Sequence, residues 1–314
     1  MKDKLKQLTR EYSSILAILV MGAVFTVASP YFLTAQNLTN ILLQCAALSI
    51  AAIGQALIVI SGNLDLSIGQ CVCFSSVIGA YLMKFMDVNP WVAVVCALLM
   101  GCLIGWCNGF LVAYVGLPAF IATLGMQMIC QSFAKIITNA TPIARLPEDI
   151  AFLGRGYLGP IPICVLIMLA FYALIQFIAA KTRFGRNVFA IGGGKEAAYF
   201  AGIPTKKYLC ATYILGGLLA GVAGVLLMSR LDSVSITNGN QYEFDTLIAC
   251  VIGGLSTTGG KGKIVGVLFG TIFLIMFFNG MTMLDVDPFY QNAIKGGVLI
   301  IAITADVLGN RKRN

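Results

Sequence analysis

Two short stretches carry the residues that could do chemistry. The first is SGNLDLSIGQ at 61–70, where Asp65 stands between runs at 41–60 and 66–83 that hold no charged residue. A carboxylate in that setting is costly unless it is paired, sits at a membrane surface or lines a wet cavity. Asp or Ser ahead of a helix can accept N–H bonds from it, so Asp65, Ser67 and Gly69 read as a capped structural hairpin in a cytoplasmic turn. A gate on a pathway is the second use, and proton coupling the third. The other stretch is GGLSTTGGKGK at 253–263, which invites a phosphate-loop reading. From Gly254 the spacing reaches Gly259, but Gly260 stands where Lys is needed and Gly262 follows Lys261 in place of Ser or Thr. Gly253, Gly254, Ser256, Gly259 and Gly260 therefore read as a tight turn at or near a pathway, without nucleotide.

Other chemistry is excluded by composition. The chain has no His, which removes imidazole catalysis and the commonest metal ligand. Its ten Cys are scattered through apolar runs apart from Cys71 and Cys73, the pattern of small buried hydrophobes and not of a metal cage. No span holds paired acids, so a membrane enzyme is the weakest reading.

The elements that must hold these stretches are hydrophobic. Of 314 residues, 59% are hydrophobic and 11% charged, against about 25% charged in a soluble domain. Runs free or nearly free of charge fall at 14–33, 41–60, 66–83, 91–114, 118–134, 160–180, 208–228, 264–284 and 288–305. Most are long enough to cross a ~30 Å hydrocarbon core as helices, and they lack strand alternation. Basic residues gather in both tails (Lys2, Lys4, Lys6, Arg10; Arg311, Lys312, Arg313), which predicts cytoplasmic termini and an even number of crossings. The tenth crossing is 246–260, at most ~23 Å as a helix, hence short or broken. Hydroxyls of Ser256, Thr257 and Thr258 are expected to satisfy its freed backbone groups. The reading is an all-α polytopic membrane protein of about ten transmembrane helices, one permease domain over 1–314. The net charge of +8 is then a topology signal and not a nucleic-acid surface.

Gly101, Gly105 and Gly109 form tandem GxxxG, repeated by Gly217/Gly221 and Gly266/Gly270, a signal for close helix packing. The one sizeable polar loop is 181–207. In it Gly192, Gly193 and Gly194 are expected to turn the chain into a short surface helix that ends at Gly202 before Pro204. Lys195, Glu196, Ala197 and Ala198 would form its docking face, kept thin by the alanines, with Tyr199 and Phe200 exposed for a partner to cover. An Arg at Ala198 is expected to disturb docking without disturbing the bundle.

These blocks together resemble the membrane permease subunit of bacterial ABC sugar importers of the ribose/galactose/xylose type. The matching stretches are SGNLDLSIGQ, PAFIATLGM, TRFGRNVFAIGGGKEAAYFAGI, YEFDTLIACVIGGLSTTGGKGKIVGVLFG and YQNAIKGGVLIIAITAD, in family order over nearly the whole chain. Asn63-Leu64 and Gly194-Lys195 depart from the pairs usual there. The resemblance implies a ten-helix bundle with inverted halves, in the bacterial cytoplasmic (inner) membrane among lipid. It also implies a second copy of the chain, a cytoplasmic ABC ATPase subunit docking on 181–207, and an extracytoplasmic sugar-binding protein. No cofactor sits on this chain, and ATP and Mg belong to the ATPase. The alternatives are a branched-chain amino-acid ABC permease and, further off, an ion-coupled secondary transporter. The latter needs an ionisable relay, for which only Lys295, Asp65 and Asp245 are placed.

Overall fold

The two longest uninterrupted helices, at 26 and 27 residues, take the middle of the molecule. In the computed structural model, which describes residues 13–311, helix α2 (Ala35–Ile60) and helix α10 (Thr205–Leu231) are the most enclosed elements. Around them stand α1 (Ser13–Ala28), α3 (Ile68–Phe85), α4 (Pro90–Phe110), α5 (Ala119–Thr138), α7 (Ile163–Lys181), α12 (Ile264–Met283) and α13 (Pro288–Arg311). Shorter helices are α6 (Ala151–Arg155), α8 (Arg183–Gly193), α9 (Lys195–Phe200) and α11 (Tyr242–Ile252). The basic residues of the tails, Lys2 to Arg10 and Lys312 to Arg313, lie outside the described residues.

Among the described residues eight helices are long and apolar enough to cross a membrane, counting α4 with the π-helical turn Leu111–Val115 that extends it. The shorter α1 and the 11-residue α11 bring the bundle to the ten expected elements. Strands are vestigial: β1 (Ile143–Ala144) pairs antiparallel with β4 (Ser233–Val234), and β2 (Tyr157–Leu158) with β3 (Ile161–Pro162). They lie at one end of the bundle, and α8 and α9 lie at the other.

Helices α4 and α10 make the closest crossing, and glycine is the reason. A Cβ on Gly105 would meet the backbone of Tyr213, one on Gly109 the Cα of Cys210 at 2.9 Å, and one on Gly101 the Cα of Gly221 at 3.1 Å. From the other side, a Cβ on Gly217 would meet the Gly105 amide nitrogen at 2.9 Å. Lipid gives no hydrophobic push between helices, so this backbone approach supplies the packing. Gly105→Leu should therefore cost roughly 3 kcal/mol or more by overpacking, read as a lower unfolding temperature of the detergent-purified protein. Exposed Gly125, against which nothing packs, should accept Ala with little change. All ten cysteines are free, most of them buried.

Two breaks shape the interior. After α2 the chain turns at Ser61 and Gly62 (φ +81°) and then climbs back into the bundle through residues 63–67 before α3 starts. The Tyr213 hydroxyl donates to the Leu64 carbonyl (3.1 Å), and the Leu66 amide donates to Thr123 Oγ1 (3.1 Å). Tyr213 sits eight residues into α10, ~12 Å above its start. The turn itself is confined to Ser61 and Gly62, of which only Gly62 is exposed, and Asp65 is carried into the bundle, where it is buried. This overturns the expectation that Asp65 stays in that turn. The backbone leaves helical geometry to reach Leu64, and it is tolerated because protein side chains satisfy it there, Tyr213 as donor and Thr123 as acceptor.

The second break is α11, ~16 Å long, which begins deep and ends at Gly253. Its final carbonyls are met by backbone amides: Gly253 N–H to Ala249, Gly254 N–H to Val251 and Leu255 N–H to Cys250. Of the hydroxyls expected there, that of Ser256 accepts from the Thr258 amide (3.4 Å), and two side-chain contacts add to it. Thr257 donates to Asp306 on α13 (2.7 Å), and Ser256 pairs with Thr258 (2.9 Å). Positive φ at Gly254, Gly259, Gly260 and Gly262 explains the glycines of this turn without any phosphate. The order long helix, break, deep-starting helix thus occurs twice, as α2–α3 and α10–α11, in opposite directions across the bundle. That is the inverted-repeat arrangement of many transporters.

Candidate functional site

Three glycine-bearing seams, far apart in the chain, meet at one point. The Gly260 amide donates to the Ile60 carbonyl at 2.8 Å. Gly192, in the last turn of α8, lies on both: a Cβ there would strike the Ile60 oxygen and approach the Gly260 nitrogen to 2.5 Å. Gly259 packs on Gly62 and on the Gly192 carbonyl. The end of α8, the turn before the 63–67 segment and the turn after α11 are therefore joined main chain to main chain.

Gly192 and Gly193 are thus helical and do not form the turn expected of them. Gly194 alone breaks the chain, with φ 175° between α8 and α9. Gly193 faces nothing within 4 Å. At the far end of α9, Gly202 (φ +81°) closes the helix: its amide donates to the Tyr199 carbonyl, and that of Ile203 to Ala198.

Helix α9 presents Lys195, Glu196, Ala197, Tyr199 and Phe200 outward, with Phe200 84% exposed. Between it and the start of α10 lies an open groove of about 860 Å³ that includes Tyr114, Tyr199 and Phe200. Ala198 is not part of this face. It is 4% exposed and packs with Ala113, Ile191, Leu209 and Cys210. An Arg there would unseat α9 from its own chain, so the expectation that it spares the bundle does not hold. Which face of so short a helix is buried depends on the cluster it covers, and spacing alone does not reveal that.

Deeper in the bundle the starts of α3 and α11 abut. Gly69 is the contact: a Cβ on it would collide with the Gly239 carbonyl and lie 2.5 Å from Glu243 Oε2. Asp65 Oδ1 accepts from the Ser67 amide (2.7 Å) and hydroxyl (2.6 Å), and Asn108 Nδ2 donates to the Ser67 oxygen (2.8 Å). Ser67 is the N-cap residue, yet its hydroxyl takes no bond from the helix. Asp65 therefore builds a turn in front of α3 and does not cap its interior amides. Glu243 Oε1 accepts from Gln127 (3.4 Å), while its Oε2 has no hydrogen-bond partner. Two helix N-termini, each carrying partial positive charge, face one another here, and buried carboxylates sit beside both.

Beside this junction Lys295 on α13 pairs with Asp245 at 2.8 Å, donates to Gln241 Oε1 at 3.1 Å, and lies over the Phe278 ring at 5.0 Å. The pair is mostly buried, with 16% and 12% of the side chains exposed. Sequence reasoning singled out Lys295 and Asp245 but not their pairing, and it passed over Asn108, Tyr213 and Glu243. The signal for Glu243 was two acids in YEFD leading an apolar run. Gly253 meets Gly266 at the base of α11, and Gly254 is open.

An all-helical bundle with two interior breaks, backed by a short exposed helix pair joined to both, defines a polytopic membrane permease. Comparison with known proteins agrees. Residues 37–303 match the family described as branched-chain amino acid transport system / permease component. The chain is 36% identical to the probable ABC transporter permease protein YphD of Escherichia coli K12, covering 95% of this chain and 90% of that one. It is 35% identical to the ribose import permease protein RbsC of the same organism (94% and 93% covered). With the galactose/methyl galactoside import permease protein MglC of Haemophilus influenzae it shares 32% (99% and 98%). The chain belongs to this family of transport permeases.

Proposed function

We propose that the protein is the membrane-spanning subunit of an ATP-driven importer that carries a monosaccharide across the bacterial cytoplasmic membrane. The observation that carries this is the Gly192–Ile60–Gly260 junction, which ties an exposed helix pair to both breaks in the bundle. Force applied to α8 and α9 from outside the bilayer reaches the interior directly. A cytoplasmic ABC ATPase seated on Tyr199 and Phe200 would supply that force, holding the ATP and Mg. A second copy of the chain completes the pathway, and an extracytoplasmic sugar-binding protein loads it. Both termini are then cytoplasmic.

Sugar is favoured over a branched-chain amino acid by the relatives named for ribose and galactose import. The Lys295–Asp245 pair points the same way, since it compensates its own charge and offers none to a zwitterion. It also argues against ion coupling, which needs a carboxylate free to load and unload.

Sealed cells carrying Lys195→Cys should resist an impermeant thiol reagent and react only after lysis. Phe200→Asp should lose the ATPase on co-purification and lose ATP-dependent sugar uptake, while the bundle still folds because Phe200 is exposed and packs edge-on against the likewise exposed Tyr199, outside the core. Labelling of position 195 from outside, or uptake that persists in vesicles lacking ATP, overturns the proposal.

A further inference from the structure

A cleft of about 210 Å³ opens between the first turn of α11 and the face of α13, lined by Gln241, Phe244, Asn292, Lys295, Gly296 and Leu299. We propose that this cleft is a contact site for the sugar on its way through the membrane, an inference that rests on the function proposed above. Its volume suits one sugar ring and is below the roughly 300 Å³ at which drug-sized pockets begin.

The lining has the chemistry of a neutral polyol site. Phe244 is 41% exposed and offers an apolar ring face for the C–H side of a sugar. Asn292 is exposed and its side chain makes no hydrogen bond among the described residues, so its amide carries both donors and acceptor into the cleft. Lys295 is oriented by Asp245 and Gln241, and an ammonium has three N–H groups, so one is left over for a hydroxyl. Because Asp245 neutralises Lys295, the site presents hydrogen bonds without net charge, which fits an uncharged substrate.

Gln241 is held for this task at a conformational cost. It has φ +66°, in the left-handed region, immediately before α11. Such strain in a non-glycine residue persists where the surroundings impose it and clusters at ligand sites. Depth agrees as well. Lys295 lies seven residues into α13, ~10 Å from its start, below the level of a surface headgroup. No residue in the apolar window of α13 is fully buried by the described chain, so the outer side of the helix, onto which the cleft opens, is left for whatever lies alongside, which in the two-copy transporter proposed above is the pathway.

Gly296→Cys makes the reporter, because a side chain at Gly296 meets nothing within 4 Å. The full-length variant in proteoliposomes is treated with a hydrophilic methanethiosulfonate, with the unsubstituted chain as background. Ribose or galactose at about twice its dissociation constant should slow the reaction about threefold, the effect of two-thirds occupancy, whereas betaine at equal osmolarity should not. Phe244→Ala or Asn292→Ala should abolish protection, and Phe244→Tyr should restore it. If the introduced thiol reacts only with a lipophilic maleimide, the cleft faces lipid and the inference fails. It also fails if that thiol cross-links between copies and stays unreactive, or if no sugar protects. ATP-driven uptake by the complex is measured in parallel. Uptake without protection sinks this site and leaves the importer, while protection with ATP-independent uptake sinks the importer and leaves the site.

Discussion

Gly192→Ala should separate sugar movement from ATP hydrolysis. The added methyl group meets the Ile60 carbonyl and the Gly260 amide, both main chain, so no rotamer change makes room. The junction must open by a fraction of a helix diameter. Overpacking of this kind costs about 1–3 kcal/mol. Set against a coupling free energy of the same order, that is a loss of roughly 5- to 150-fold in transport per ATP. Gly193→Ala supplies the control. One residue along the same helix, its Cβ meets nothing within 4 Å, and uptake should stay within a factor of ~2, the span of ordinary surface substitutions. The measurement is the ratio of sugar imported to ATP hydrolysed in the assembled complex. Equal ratios for the two variants would show that α8 does not transmit force through Gly192.

The second large effect is expected from the Lys295–Asp245 pair. Lys295→Met leaves the Asp245 carboxylate buried among α11 and α13 without its partner. Removing one member of a buried pair costs about 3–5 kcal/mol, whereas replacing both with neutral groups is often close to neutral. The single variant Asp245→Asn should also be costly, because it strands the ammonium. The double variant Asp245→Asn/Lys295→Met should recover most of the loss, giving a double-mutant coupling of ~3 kcal/mol in thermal or denaturant unfolding of the purified protein. Additive single effects would mean that the 2.8 Å contact contributes nothing beyond its two residues.

Some of this was readable along the chain. Backbone polar groups cannot be left bare in hydrocarbon, so runs such as 41–60 and 208–228 had to be helices; counting them gave nine, and the basic tails called for a tenth. The brevity of 246–260 was equally plain, since fifteen residues reach at most ~23 Å, although the helix itself runs over Tyr242–Ile252 and the glycines form the turn after it. The glycine repeats at 101–109 and 217–221 announced close packing, and α4 and α10 do pack there. For the 181–207 loop the sequence marked a short helix at its glycines and alanines, but not α8 ahead of it.

What the sequence alone determined is what depends on one residue and its near neighbours: which runs are apolar enough to span, where chain direction reverses, and which residue types are absent. What only the tertiary structure decided is which groups meet. Ala198 reads as a docking residue by its position in KEAAYF, yet it is buried because Ile191 and Leu209 fold over it. Asp65 reads as a surface turn, yet hydrogen bonds to side chains of three other helices, donated by Tyr213 and Asn108 and accepted by Thr123, draw its segment inward. Gly192 reads as a hinge, yet it serves as a contact point because Ile60 and Gly260 arrive beside it from far along the chain. Hydropathy and charge report the cost of placing a residue in lipid or water. They carry no record of a partner more than a turn or two away, and in a bilayer, where helices associate by fit and hydrogen bonding, those partners set the function.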